Sequence, residues 1–172
     1  MTQKTNRPTP ICGPSSTRST TYSSFRIVGE FVQEREGRLV KIRAFLVLCA
    51  IGLAPIALSY GAMPAVSLDA LFGITVDSTN LTHVMRAIMG LYFGMIVIWL
   101  WGAFSPPMAG PALVCCAVFM LGLAAGRALS FVLDGMPHWL LVVYAVIEVV
   151  LGAIAVVLFR NHIATDASGA NV

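Results

Sequence analysis

The chain has 172 residues and a formal net charge of +3, and its composition differs from that of a soluble globular protein. Hydrophobic residues make up 58% of it, charged residues make up 11%, and the mean hydropathy is +0.83. Such values are typical of integral membrane proteins and exclude a single soluble domain with an ordinary charged surface.

The basic residues are concentrated before the first long apolar run. Eight of the eleven Lys and Arg precede residue 44, against three acidic residues in the same segment. Basic residues that flank a membrane helix hold that flank on the cytoplasmic side. The segment lies directly before a hydrophobic run in the sequence and lacks the interleaved aromatic residues of many nucleic-acid-binding segments. It therefore predicts the orientation of the protein in the membrane, and we expect no nucleic acid partner.

Residues 1–43 are predicted to form a basic, Ser/Thr-rich cytoplasmic tail. Residues 1–25 show no hydrophobic period and predict disorder, whereas residues 26–43 could form a short interfacial helix. Val40, followed by Lys41, Ile42 and Arg43, resembles a translation start. On that alternative, residues 1–39 are not translated.

Four apolar runs predict an all-α fold, an integral membrane four-helix bundle in a domain of residues 44–160, followed by a short polar tail at 161–172. Each run is long enough to cross roughly 30 Å of hydrocarbon at 1.5 Å per residue. Pro55 is expected to kink the first span. With a start at Val40, that span could instead be a signal peptide, although Pro55 interrupts its apolar region. The predicted spans are about residues 44–62, 81–104, 111–133 and 138–159.

The connections between the spans predict the orientation of the bundle. The loop of residues 63–80 contains two acidic residues and no basic one, and its apolar patch at 68–74 suggests a re-entrant or surface-lying turn. The link at 134–137 is acidic too, whereas the basic flanks all fall on the opposite side. The sequence therefore predicts cytoplasmic termini for a multi-pass membrane protein.

Three charged residues lie within the predicted spans: Arg86, Arg127 and Glu148. A charge near the centre of a membrane helix costs roughly 2.5 to 3.5 kcal/mol, so such residues usually face the bundle interior and meet a partner there. We predict a buried polar cluster in the outer half of the bundle, capped by Asp134 and His138. Its candidate residues are His83, Arg86, Arg127, Ser130, Asp134, Tyr144 and Glu148.

Small residues predict where the helices approach each other. Gly90 with Gly94, and Gly122 with Gly126, form two GxxxG pairs, and we expect spans two and three to cross there. Gly152 continues a stripe of span four that also contains Tyr144 and Glu148.

Several functions remain open for the cluster. It could be a closed, internally neutral ion-pair network that only fixes helix register, formed by Arg86, Arg127, Glu148 and Asp134. It could also be a site for a lipid headgroup, quinone or other small amphipath that enters from the outer leaflet. The protein could instead be a structural or accessory subunit that docks a membrane protein partner on its glycine faces and on the loop of residues 63–80. We predict no catalytic residue, cofactor or metal site, because no nucleophile with a base, cofactor motif or ligand spacing is present. Membrane lipids are the expected surroundings.

Three stretches, HVMRAIMGLYFGMIVIW, GRALSFVLDGMP and YAVIEVVLG, resemble the bacterial membrane family called domain of unknown function 4345. The resemblance covers roughly residues 44–160 and implies a four-helix integral membrane fold without an established activity. The matching residues are His83, Arg86, Gly90, Tyr92, Gly94, Gly126, Arg127, Ser130, Asp134, Gly135, Pro137, Glu148 and Gly152.

Overall fold

The computed structural model describes the backbone of residues 17–169 and the side chains of residues 32–164. This part of the chain contains α-helices and no strand, which confirms the all-α prediction. The helices are α1 (Thr17–Gly61), α2 (Pro64–Phe72), α3 (Thr79–Phe104), α4 (Ala109–Leu133) and α5 (Trp139–Gly169), with a 3₁₀ turn at Pro106–Met108.

Within the described residues, four helical stretches are long and apolar enough to cross a membrane, which confirms a multi-pass membrane protein. They are Val32–Gly61, Thr79–Phe104, Pro106–Leu133 and Trp139–Ala164. α5 continues beyond the predicted boundary at residue 159 because no proline or glycine follows Arg160 until Gly169.

The N-terminal segment differs from the prediction where it is described. α1 begins at Thr17, so residues 17–25 are helical, whereas residues 1–16 lie outside the described part. No proline falls between Thr17 and Pro55, and α1 continues through Pro55 to Gly61. The chain divides into two units, residues 1–37 and residues 38–172, and the core and site described below belong to the second.

One face of α1 supplies much of the core of this second unit. Leu46, Cys49, Leu53 and Ala57 recur at intervals of three or four residues and are all buried. The largest fully buried side chain is Trp99 of α3, whose ring meets that of Phe119 edge to face at 5.7 Å. Aliphatic and aromatic packing therefore holds the spans together.

Glycines mark close approaches between helices, but not at the predicted pairs. A Cβ atom at Gly102 of α3 would overlap that of Ala112, and one at Gly152 of α5 would lie 2.7 Å from Leu121 of α4. These two positions, together with Gly61 against Met89, require the absence of a side chain.

The predicted crossing of spans two and three at the GxxxG pairs is not formed. A Cβ atom at Gly90, Gly94, Gly122 or Gly126 would have no neighbour within 4 Å. α3 buries the face that contains Tyr92. Because each residue turns a helix by about 100°, Gly90 and Gly94 point away from that buried face.

The predicted turn in the loop of residues 63–80 is the short helix α2. Pro64 occupies its first turn, and Gly73 ends it in the left-handed conformation with φ of 68°. Leu68 and Phe72 are buried, and the Ser67 hydroxyl donates to the Ser59 carbonyl of α1 at 2.7 Å. α2 therefore covers one end of the spans, hereafter the α2 end.

Candidate functional site

Arg127 of α4 and Glu148 of α5 form an ion pair within the membrane-spanning part. The Arg127 Nε donates to both carboxylate oxygens of Glu148, at 3.1 and 2.9 Å. Their side chains are 18% and 9% exposed. Arg127 lies six residues before the end of α4, and Glu148 lies nine residues after the start of α5. The long Arg127 side chain spans this difference in depth.

Aromatic side chains surround the pair on the side of the α2 end. The Arg127 guanidinium lies 5.9 Å from the centre of the Tyr144 ring, within cation–π range. The Tyr60 side chain of α1 also lies close to that of Arg127. Tyr60 contacts the rings of Tyr92 and Phe72, at 5.8 and 6.3 Å. The guanidinium therefore lies next to a group of aromatic rings contributed by α1, α2, α3 and α5.

A cavity of about 290 Å³ lies beside the ion pair. Two of its lining residues, Arg127 and Glu148, are charged, and the others are mainly aliphatic or aromatic. At its rim, Leu48 of α1 is 63% exposed and Ile147 of α5 is 47% exposed. The cavity thus opens through the surface that would face lipid. The complete lining is Leu48, Cys49, Gly52, Leu53, Ile56, Tyr92, Met120, Leu123, Arg127, Tyr144, Ile147, Glu148 and Leu151.

The remaining predicted polar residues do not join the pair. Arg86 and His83 are exposed on α3 and make no hydrogen bond or ion pair with any residue that the structure describes. The Ser130 hydroxyl donates to Asp134 at 2.8 Å, and Asp134 is exposed at the end of α4. The predicted closed network of two arginines and two acids is therefore not formed.

His138 belongs to the aromatic contacts at the α2 end, because its ring lies 6.4 Å from that of Phe72. Gly152 lies one turn beyond Glu148 at the close approach of α5 to α4. That contact brings the carboxylate near Arg127.

Sequence reasoning missed the contribution of α1. Cys49, Gly52, Leu53 and Ile56 line the cavity and Tyr60 approaches the guanidinium, but they lie in an ordinary apolar run. Among the described residues, no group of three or more His, Cys, Asp or Glu could hold a metal ion. The arrangement is suited to hold a small molecule between apolar walls and the ion pair.

Comparison with known proteins gives a family. A search of curated proteins and a search of solved structures found no match to the chain. A family model described as Domain of unknown function (DUF4345) matches residues 42–159, a segment that contains Arg127, Glu148 and every residue lining the cavity. Because the match covers more than half of the chain, the protein belongs to the DUF4345 family.

Proposed function

We propose that this protein resides in the bacterial inner membrane and binds a small amphipathic molecule in the cavity beside Arg127 and Glu148. The observation that carries the proposal is the position of the ion pair on the wall of a 290 Å³ cavity that opens towards lipid. Small-molecule sites commonly combine apolar walls with a few polar groups that fix orientation.

The energetics of buried ion pairs support a role for the pair beyond packing. Replacing such a pair by apolar side chains of similar volume is often neutral or stabilising, so the pair is a weak source of stability. A pair that served only packing has no need of adjoining open space. Arg127 and Glu148 instead line the cavity, where a bound molecule would contact them.

The test compares two glycines that have open space around them. Gly52 lines the cavity and Gly90 does not, and neither would place a Cβ atom within 4 Å of a neighbour. Gly52→Phe should fill the cavity and abolish retention of a co-purified amphipath, whereas Gly90→Phe should retain it. Mass spectrometry of the gently solubilised protein measures the retention. Wild-type retention in Gly52→Phe, or no retained molecule in the wild type, would refute the proposal.

A second candidate function is that of an accessory subunit in a larger membrane complex. It is favoured by the uncovered faces of α3 and α4 at Gly90, Gly94, Gly122 and Gly126, which suit close contact with another membrane helix. On this alternative, Gly90→Phe should release a stoichiometric partner that the wild type and Gly52→Phe both retain. Size-exclusion chromatography of the solubilised proteins distinguishes the two functions.

The orientation proposed for the bundle has both termini in the cytoplasm and the α2 end outside. The basic residues before the first span and at Arg160 support it, as do the acidic connections at the α2 end. A reporter fused after Val172 should be active only in the cytoplasm, and one inserted near Asp77 only outside. A periplasmic C-terminus would contradict this orientation.

A further inference from the structure

We infer that the molecule bound in the cavity has an uncharged headgroup with a carbonyl oxygen, as in a benzoquinone with an apolar tail, rather than an anionic headgroup. The inference rests on the proposed function, because it concerns the same cavity and specifies the chemistry of its occupant.

The charge balance of the wall is the first argument. Arg127 is already neutralised by Glu148, whose two oxygens both accept from the Arg127 Nε. These two are also the charged residues of the lining, so the wall has no net charge. An anionic headgroup would meet the Glu148 carboxylate and would lose its own hydration without gaining an unpaired counter-charge. An uncharged headgroup avoids both costs.

Hydrogen-bond donors remain available on the same wall. A guanidinium has N–H groups on Nε and on both Nη atoms, and the bonds to Glu148 use the Nε group. The Tyr60 side chain also lies close to this guanidinium, but one hydroxyl oxygen cannot accept from every remaining N–H group. A carbonyl oxygen is a pure acceptor, so it complements these donors without adding charge.

The depth of the ion pair also disfavours a phospholipid headgroup. Glu148 lies nine residues beyond Trp139, which is about 14 Å along the helix at 1.5 Å per residue. Trp139 is exposed at the start of α5, as expected of an aromatic residue at a membrane interface. The backbone of Glu148 therefore lies near the middle of roughly 30 Å of hydrocarbon, and the long side chain of Arg127, six residues from the end of α4, reaches towards this carboxylate. Phosphate groups stay at the interface, whereas an uncharged ring can reach this depth.

The size and opening of the cavity fit a ring with a tail. An engineered apolar cavity of about 150 Å³ holds benzene, and this cavity is about 290 Å³. It therefore has space for a substituted ring and the first part of a chain. The exposed rim residues Leu48 and Ile147 leave an opening through which the tail would extend into the bilayer.

The experiment compares two probes that share one tail, decyl-benzoquinone and decyl phosphate. Each is titrated into the full-length protein in nanodiscs of uncharged phospholipid, and binding is measured by the rise in thermal stability. Gly52→Phe, with a filled cavity, reports partitioning into the bilayer alone. Because the phosphate would lose its hydration beside the Glu148 carboxylate without gaining an unpaired counter-charge, we expect the quinone to bind at least about tenfold more tightly than the phosphate.

Two variants test the role of the ion pair. Glu148→Gln leaves Arg127 with an unpaired positive charge, so the preference should shift by about tenfold or more towards decyl phosphate. The double variant Arg127→Gln/Glu148→Gln has no charge and lacks the guanidinium, so it should bind the quinone about tenfold more weakly than the wild type. If Glu148→Gln does not fold, the inference is still tested by the comparison of the two probes in the wild type and by quinone binding to the double variant.

The outcomes separate the inference from the function on which it rests. Tighter binding of decyl phosphate by the wild type, with sensitivity to Gly52→Phe, would overturn the uncharged headgroup and leave the binding cavity intact. Equal binding of both probes, or an unchanged preference in Glu148→Gln, would also overturn the inference. If Gly52→Phe responds to both probes as the wild type does, the cavity binds neither, and both the inference and the proposed function fail.

Discussion

The two arginines at membrane depth have opposite surroundings. Arg127 of α4 is mostly buried, pairs with Glu148 and lies against the Tyr144 ring. Arg86 of α3 is exposed and has no hydrogen bond or ion pair within the part of the chain that the structure describes. Both arise from a similar pattern, a single arginine in an apolar helix with glycines nearby. The sequence pattern alone therefore does not tell a paired intramembrane arginine from an unpaired one.

The difference follows from which faces of α3 and α4 are buried. α4 packs closely against α5, and Gly152 allows Leu121 to approach, so Arg127 meets an acid from the next helix. α3 directs Tyr92, Ile96 and Trp99 inwards, and Arg86 lies off that face. Because Arg86 lies on an exposed face, its long side chain can extend the charged group along that face towards the interface, which makes a protein partner unnecessary. Arg127 is therefore paired inside the bundle, whereas Arg86 lies on its exposed surface.

The largest expected effect is that of removing the acid from the pair. Glu148→Gln should lower the free energy of unfolding by on the order of 3 kcal/mol, because Arg127 stays charged when buried without a partner. Arg127→Gln should cost less, since an unpaired carboxylate can take up a proton. Unfolding in mixed micelles measures both changes.

The double variant Arg127→Gln/Glu148→Gln is the control for this prediction. It should recover most of the stability that Glu148→Gln loses, since neither uncompensated charge remains. Equal losses in Glu148→Gln and the double variant would show that the loss does not come from an unpaired buried charge, and would contradict the prediction.

The next largest effect concerns the glycines. Gly102→Leu should destabilise the protein by about 2 kcal/mol, because the new side chain would overlap Ala112 and approach the Met108 carbonyl oxygen. Gly90→Leu should leave stability unchanged or slightly raised, because its surroundings are open and leucine favours a helix. Thermal unfolding of both variants in one detergent makes the comparison. A large loss in Gly90→Leu would indicate that another molecule covers that face.

The sequence predicts the spans well and their rotation poorly. The predicted second and third spans begin within two residues of α3 and α4 and end with them, because apolar runs bounded by polar turns reveal helix length. Rotation about the helix axis depends on contacts with other helices, which one sequence does not contain. For this reason Gly102, a close approach, was missed, whereas Gly90, which faces open space, was predicted to be one.

The candidate site was predicted in part for the same physical reason. Arg127 and Glu148 can be predicted as site residues because a charged side chain is rare inside a membrane span, and the two form an ion pair in the structure. The aliphatic wall from α1 gives no such signal, because Leu53 and Ile56 are indistinguishable in sequence from residues that face lipid. The cavity exists only through the arrangement of the helices.

A smaller effect is expected at the end of α4. Asp134 is exposed and accepts from Ser130 at 2.8 Å, and the structure shows it joined to neither arginine. Asp134→Asn should therefore cost less than about 1 kcal/mol, since the amide oxygen can still accept from the hydroxyl. Ser130→Ala, which removes the donor, should cause a similarly small loss. A loss near 3 kcal/mol in Asp134→Asn would instead support a closed network with the arginines.

The smallest effect on stability is expected from Arg86→Gln, within about 0.5 kcal/mol of the wild type, since the exposed side chain has no protein partner to lose. The contribution of Arg86 to stability should instead depend on the charge of the surrounding lipid. In nanodiscs that contain anionic phospholipid, the wild type should gain up to about 1 kcal/mol relative to Arg86→Gln, because a basic residue near the interface attracts phosphate groups. Arg127→Gln is the matched control and should keep the lipid dependence of the wild type, since its guanidinium lies inside the bundle. The difference between the variants in uncharged and anionic nanodiscs is the measurement. If Arg86→Gln destabilised the protein as strongly as Arg127→Gln in both lipids, Arg86 would have a partner outside this chain, and the accessory-subunit function would become the stronger candidate.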